Sequence, residues 1–124
     1  MNLSVGFAHE RLEAYAVARE FVGHVAALLA ALPRGEAAIA DQLKRAGDST
    51  LLNLCEGAGR RAGRDKAHYY TIARGSGTEC AAILDILVLR RLADPARVEV
   101  ARGLLYRLVC MLTALARRAA AARS

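Results

Sequence analysis

Apolar side chains recur at three- and four-residue steps along most of this chain of 124 residues, and this periodicity is what most limits its fold. Such spacing places apolar residues on one face of an α-helix, whereas a half-buried strand alternates apolar and polar residues. No segment shows that alternation. Turn-forming residues interrupt the pattern after Leu32, after Ala58 and before Pro95. The sequence therefore predicts an all-α protein with four helices.

The ends of the predicted helices follow from these interruptions. The first helix is predicted from about His9 to Leu32, the second from about Glu36 to Ala58 and the third from about Asp65 to Leu92. Asp94 is a good N-cap and Pro95 a good first residue for the fourth helix. Four amphipathic helices with short connections favour one domain, an antiparallel up-down-up-down four-helix bundle.

Composition and local patterns indicate the cellular location that we expect for this protein. The 55% apolar content is enough for one core. The uncharged apolar run Phe21–Pro33 is too short to span a bilayer, and the first residues lack the pattern of a signal peptide. We therefore expect a cytoplasmic protein without a membrane partner. The odd number and wide spacing of the cysteines exclude a disulfide framework, so we expect three buried thiols, Cys55, Cys80 and Cys110.

Polar residues interrupt the apolar pattern of the second and third helices. On the third helix, Glu79 falls between Ile72 and Ile83, which we expect to face inward, so Glu79 should be buried. A polar ribbon on the second helix lies beside the apolar one, so the two helices can share a polar seam: Gln42, Ser49, Asn53, Glu56, Arg60, Ser76 and Glu79. A buried carboxylate needs a partner, and the candidates are Arg60, Arg45 and Asn53. The seam either fixes the register of the helices or forms a ligand or catalytic site.

The residue spacing argues against an enzyme or a cofactor. Carboxylate metal sites in helical bundles use a Glu-x-x-His motif, and neither Glu56 nor Glu79 is followed by a histidine at that spacing. The three histidines have no second ligand at metal-binding spacing. The glycines from Gly57 to Gly63 match neither a dinucleotide-binding loop nor a phosphate-binding loop. We expect no catalytic residue, no metal and no cofactor.

Positive charge is concentrated in two parts of the chain. Residues 90–124 contain eight arginines against Asp94 and Glu99. A second cluster is offset only by Asp65 and comprises Arg60, Arg61, Arg64, Lys66 and Arg74. Arginine presents a planar fork of donors that suits phosphate. The alternative interpretation, ordinary solvated helix faces, remains open because charge alone does not decide between the two.

Three motifs resemble a known family. The chain contains Q-x-x-R-A from Gln42, S-x-x-x-N-x-x-E-G-x-G-R from Ser49, and A-R-G-S-x-x-E from Ala73 to Glu79. In these motifs, and in its first helix, the sequence resembles the small bacterial four-helix-bundle proteins named after open reading frames in 23S rRNA intervening sequences. The resemblance implies an antiparallel bundle, a ring-shaped homo-oligomer with five subunits as the expected number, and an association with RNA.

An antiparallel bundle would bring the basic segments together. The end of the second helix would lie beside the end of the fourth, and we define the resulting basic pole as Arg61, Arg64, Lys66, Arg117 and Arg118, with Arg123 beyond it. Arg60 is a weaker candidate because the polar seam has a use for it. Arranged around a ring, such poles would form a positive rim for phosphate contacts.

Apolar residues outside the core stripes indicate an oligomer. The second helix places Leu51, Leu52 and Cys55 away from its core face, and the fourth does the same with Tyr106, Val109 and Cys110. Contiguous exposed apolar surface usually marks an interface. The sequence thus predicts a non-enzymatic homo-oligomeric bundle that binds structured RNA or another nucleic acid, directly or with a protein partner. The alternative is a protein scaffold or adaptor with no nucleic-acid role.

Overall fold

Four long helices make up the computed structural model, which describes residues 6–122. A short 3-10 helix, Ala8–Arg11, precedes helix α1. The four helices are α1 Glu13–Ala31, α2 Ala37–Gly59, α3 Gly63–Leu89 and α4 Pro95–Ala121. Residues 6–122 contain no strand, so the predicted all-α class is confirmed for the part of the chain described.

The helix ends lie close to the predicted ones, and the differences have local causes. The predicted start at His9 belongs to the separate 3-10 turn, in which Glu10 Oε1 accepts a hydrogen bond from the backbone N–H of Phe7 at 2.7 Å. Helix α3 ends at Leu89 rather than Leu92 because Arg91 adopts a left-handed conformation with φ of 57°. Left-handed residues of this kind commonly terminate helices.

The predicted N-cap of α4 is confirmed. Asp94 Oδ1 accepts a hydrogen bond from the backbone N–H of Ala96 at 3.0 Å, and Pro95 occupies the first helical position. The apolar side chains that recur at three- and four-residue steps along α4 are also buried, except that Leu115 is only half-buried. The buried members are Val98, Ala101, Leu105, Leu108, Leu112 and Ala119. Local capping and periodicity therefore account for α4 almost completely.

Each helix packs against two others around one core. The extensive contacts are between α2 and α3 and between α3 and α4, and α1 packs on both α2 and α4. Large side chains from all four helices fill the centre, among them Phe21, Leu43, Leu84 and Leu108, each with 0% of its surface exposed. Burying such residues supplies most of the stability of a bundle.

The buried face of α3 differs from the predicted one. Ile72, which was expected to face inward, is 38% exposed, and Tyr69 and Ile86 are half-buried. Ile83 is buried as expected, and Leu87 is also buried. The buried face of α3 consists instead of Gly63, Tyr70, Ala73, Gly77, Cys80, Ile83, Leu84 and Leu87. Small residues occupy its middle, so a search for large aliphatic residues misplaces the face by about one residue.

Helix α1 is long and apolar enough, by length and composition, to cross a membrane, with a mean hydropathy of 1.3 over its most apolar window. The uncharged run Phe21–Pro33, on which the expectation from the sequence was based, is shorter than this helix. The central helix of a soluble bundle has the same properties, and α1 buries a stripe that includes Val17, Phe21 and Leu28 against α2 and α4. The bundle buries 33% of that apolar window.

Candidate nucleic-acid interface

The start of α3 lies directly against the end of α4. A Cβ atom added to Gly63 would overlap the carbonyl oxygen of Ala119, and it would lie 3.4 Å from Cβ of Ala122. The lack of a side chain at Gly63 therefore permits backbone contact between the two helices. This contact places the turn between α2 and α3, which carries Arg61, beside the last turn of α4.

Four of the predicted basic residues are exposed near this contact. Arg61 and Arg64 lie on the turn and in the first turn of α3, and Arg117 and Arg118 lie near the end of α4. The start of α1 joins them, because a groove of about 290 Å³ is lined by Arg11 and Arg118 together. The exposed arginines of the predicted basic pole are thus at one end of the molecule. Arg123 lies outside the described residues.

Lys66 has a structural role at this end. Its ammonium group donates hydrogen bonds to the carbonyl oxygens of Gly57 at 3.2 Å and Ala58 at 2.9 Å. These carbonyls belong to the last turn of α2, where a cation is also favoured by the helix dipole. The ammonium of Lys66 therefore closes the turn between α2 and α3, and it is less available to phosphate than the four arginines.

Arg60 is held by two neighbours beside the basic pole. Its Nε and Nη2 donate to Glu56 Oε2 at 3.0 and 2.6 Å, and Nη2 also donates to the phenol oxygen of Tyr69 at 3.0 Å. The guanidinium carbon lies 4.7 Å from the centre of the Tyr69 ring, within cation-π range. The hydrogen bond to Glu56 raises the pKa of Arg60.

Three residues from the middle of the predicted polar seam, Ser49, Asn53 and Ser76, are hydrogen-bonded to one another. Ser49 and Ser76 hydroxyls are hydrogen-bonded across α2 and α3 at 2.7 Å. Asn53 Nδ2 donates to the backbone carbonyl of Ser49 at 2.9 Å and to its hydroxyl at 3.0 Å. All three side chains are half-buried. These contacts satisfy one another without a ligand, which supports a role in fixing the register of the two helices.

The predicted burial of Glu79 is wrong. Glu79 is exposed, as are Gln42 and Glu56, because the face of α3 that packs inward is centred on Ala73, Gly77 and Cys80. The cations proposed as partners of Glu79 have other contacts. Arg45 forms an ion pair with Asp41 at 2.9 Å, and Arg60 pairs with Glu56. The seam is therefore a short neutral network with an ion pair beside it.

The cysteines occupy three different environments, which corrects the prediction of three buried thiols. Cys80 is fully buried, Cys55 is half-buried and Cys110 is exposed. Burial raises the pKa of Cys80 to about 11. Its Sγ lies 4.0 Å from the hydroxyl of the buried Thr50, which also donates to the carbonyl of Ala46 at 2.8 Å. Within residues 6–122, no group of three His, Cys, Asp or Glu side chains could hold a metal ion.

Two exposed apolar side chains lie on the faces predicted to form an interface. Leu52 on α2 is 65% exposed and Tyr106 on α4 is 73% exposed. Leu51, Cys55 and Val109 are half-buried beside them, and Cys110 is exposed. Tyr106 borders a shallow groove between α3 and α4 that also includes Thr78, Ala81 and Val109. Leu52, Tyr106 and Cys110 are therefore exposed as expected, whereas Leu51, Cys55 and Val109 are partly covered by the bundle itself.

Sequence reasoning missed three features of this end of the molecule. The contact of Arg60 with Tyr69 and the contact of Lys66 with α2 both span eight or nine residues across a turn, so helical periodicity does not indicate them. The close approach at Gly63 had a signal, since Gly63 is the last of three glycines in a short segment. That segment was interpreted only as a turn.

Comparison with known proteins assigns the chain to a family. Residues 10–114 match the family model described as 23S rRNA-intervening sequence protein. A solved structure from Bacteroides thetaiotaomicron VPI-5482, described as a protein with unknown function from the S23 ribosomal protein family, has a similar fold with a TM-score of 0.77. The two chains are 17% identical, and the match covers 83% of this chain and 97% of the other. No curated protein matches this chain.

Proposed function

The chain belongs to the 23S rRNA-intervening sequence protein family, and from this premise we propose that it is a non-enzymatic, cytoplasmic RNA-binding or RNA-associated accessory protein. The observation that carries the proposal is the group of four exposed arginines at one end of the molecule: Arg61, Arg64, Arg117 and Arg118. They lie on segments that Gly63 and Ala119 hold in contact. Arginine clusters of this kind bind phosphate groups through paired donors and charge.

The proposed arrangement of the helices is an antiparallel up-down-up-down bundle. Two observations at one end of the molecule support this arrangement. The start of α3 lies on the end of α4 at Gly63 and Ala119, and residues from the start of α1 and the end of α4 line one groove. At the other end, a groove lined by Ala31 and Asp94 joins the end of α1 to the start of α4. The short connections between consecutive helices fit the same arrangement.

The proposed assembly is a ring-shaped homo-oligomer, with five subunits as the expected number. Leu52 and Tyr106, which are 65% and 73% exposed, are the large apolar side chains that such an interface would cover. A ring would repeat the basic pole around one rim and multiply its contacts with a single RNA. Light scattering at micromolar concentration tests the assembly, and a single species of 13.3 kDa would contradict it.

The RNA-binding proposal is tested with a labelled RNA hairpin at several salt concentrations. The affinity should fall steeply with salt, with a log–log slope of about −0.7 to −0.9 for each phosphate neutralised. The variant with Arg61, Arg64, Arg117 and Arg118 changed to Glu should lose binding, while its helicity and oligomer size stay unchanged. All four side chains are exposed, so the fold does not depend on burying them.

A matched control separates the position of the charges from their number. The control variant changes four exposed cations elsewhere on the bundle to Glu: Arg34, Lys44, Arg90 and Arg97. It has the same net charge as the first variant and should retain much more of the binding. If the parent protein retains no RNA even at low salt, or the two variants bind equally well, the alternative of a scaffold or adaptor for a protein partner replaces this proposal.

A further inference from the structure

An exposed strip on α3 leads away from the basic pole. Arg64, His68 and Ile72 follow one another at intervals of four residues, which places them on the same side of the helix. Arg64 and His68 are exposed, and Ile72 is 38% exposed. The strip ends at Gly75, where an added Cβ would meet nothing within 4 Å. It therefore starts at a cation and continues for about 16 Å over uncharged surface.

Two aromatic rings lie along this strip. His68 is exposed, and its ring lies 5.2 Å from the ring of Tyr69 at an angle of 75°. Tyr69 is half-buried and is fixed by Arg60, which donates to its phenol oxygen at 3.0 Å and lies over its ring. Because Tyr69 is held in place on one side, it supports His68 as a flat, accessible surface beside the arginines.

The neighbouring carboxylates leave the strip open to a polyanion. Glu56 is neutralised by its ion pair with Arg60, whose side chain is 41% exposed. Asp65 is half-buried in the first turn of α3. Glu79 is exposed one turn beyond Gly75, where its charge would repel phosphate and limit the strip. The uncharged part of the strip thus lies between charged residues, with Arg64 and Asp65 at one end and Glu79 at the other.

A cation followed by aromatic and apolar side chains suits unpaired nucleotides. Bases stack on aromatic rings and on guanidinium groups when their faces are accessible, and in a duplex those faces are covered by the neighbouring base pairs. A duplex would engage only the arginines. The chemistry of the strip therefore favours a loop, a bulge or a single-stranded end over a continuous helix of RNA.

We propose that the strip formed by Arg64, His68, Tyr69 and Ile72 binds unpaired nucleotides of RNA whose phosphates contact Arg61 and Arg64. This inference rests on the proposed function and adds to it the class of RNA that is bound. His68 supplies the stacking surface, and Tyr69 with Arg60 positions it. Structured RNAs would be recognised through their loops and ends.

The experiment compares two fluorescent probes of equal length, an unpaired oligouridine and a blunt RNA duplex, by fluorescence anisotropy. The parent protein should prefer the unpaired probe. His68→Ala should weaken binding of the unpaired probe about ten-fold, as expected for the loss of one stacked base, and leave duplex binding unchanged. His68→Phe should restore the lost affinity because it replaces the ring. His24→Ala changes a histidine on α1 and should leave both affinities unchanged.

The outcomes distinguish this inference from the proposed function. Equal binding of both probes by the parent overturns the inference and leaves the basic pole intact, as does equal weakening of both probes by His68→Ala. Failure of His68→Phe to restore binding also overturns it. If neither probe binds at low salt, the proposed function fails and this inference fails with it. Circular dichroism of each variant confirms that the helices are retained.

Discussion

Helices α1 and α3 bury their inner faces in opposite ways. Most of the buried face of α1 is filled by large side chains, with Phe21 near its centre and fully buried. The middle of α3 is lined by small ones, and an added Cβ at Gly77 would lie 3.2 Å from Val109 Cγ2 and 3.3 Å from Leu105 Cδ1. Helix α1 thus stabilises the bundle through the volume it fills, whereas α3 does so by letting its neighbours approach closely.

The largest effect should come from removing volume on α1. Phe21→Ala should lower the free energy of unfolding by about 3 to 5 kcal/mol, because it leaves a cavity in a close-packed core. Phe21→Leu keeps most of the volume and should cost less than about 1.5 kcal/mol. Urea denaturation measures both. A loss below about 1 kcal/mol for Phe21→Ala would show that the core collapses around this site.

Adding volume on α3 should give the next largest effect. Gly77→Leu should lower the free energy of unfolding by about 1 to 3 kcal/mol, because the added side chain has no room between Val109 and Leu105. The matched control is Gly75→Ala, two residues away on the open side, which should raise it by up to about 1 kcal/mol. If both variants are stabilised, α3 and α4 are not in close contact at Gly77.

The hydrogen bond between Ser49 and Ser76 should have a smaller effect. Ser49→Ala and Ser76→Ala should each cost about 0.5 to 1.5 kcal/mol, because each leaves a half-buried hydroxyl with one partner fewer. The double variant should cost less than the sum of the two, and a double-mutant cycle in thermal denaturation measures this difference. Strictly additive losses would mean that the two hydroxyls do not interact in solution.

Glu79 should have the smallest effect on stability. It is exposed, so Glu79→Ala and Glu79→Gln should both change the free energy of unfolding by no more than about 0.5 kcal/mol. A buried ion pair would behave differently, since removing one partner costs about 3 to 5 kcal/mol. A loss of that size for Glu79→Ala, together with a much smaller loss for Glu79→Gln, would show that Glu79 is buried.

Large buried side chains could be located from the sequence, whereas small ones could not. Leu105, Leu108 and Leu112 reveal the core face of α4 because they are large and recur at three- and four-residue steps. On α3 the same reasoning selected Ile72, which is exposed, and missed Gly77, whose burial follows from contacts with other helices. Periodicity shows where large apolar residues recur along a helix. It gives no signal where a glycine brings the backbone itself into contact with a neighbouring helix.

The candidate site was predicted in part for a similar reason. The exposed arginines were identified from charge alone, and their location at one end of the molecule was expected from an assumed antiparallel order of the helices. Lys66 and Arg60 carry the same charge, yet their ammonium and guanidinium groups contact a helix end and a carboxylate. The contact of Lys66 crosses the turn between α2 and α3, and the contact of Arg60 depends on its rotamer. Local sequence patterns therefore did not distinguish these two cations from the exposed arginines beside them.

The short connections between the helices also have a kinetic consequence. The two extensive contacts, α2 with α3 and α3 with α4, join segments that follow one another in the chain, so closing them requires only small loops. The contact of α1 with α4 joins segments separated by all of α2 and α3. We expect rapid formation of the α2–α3–α4 part and late docking of α1 during folding, with low φ-values for truncations on α1 in stopped-flow experiments.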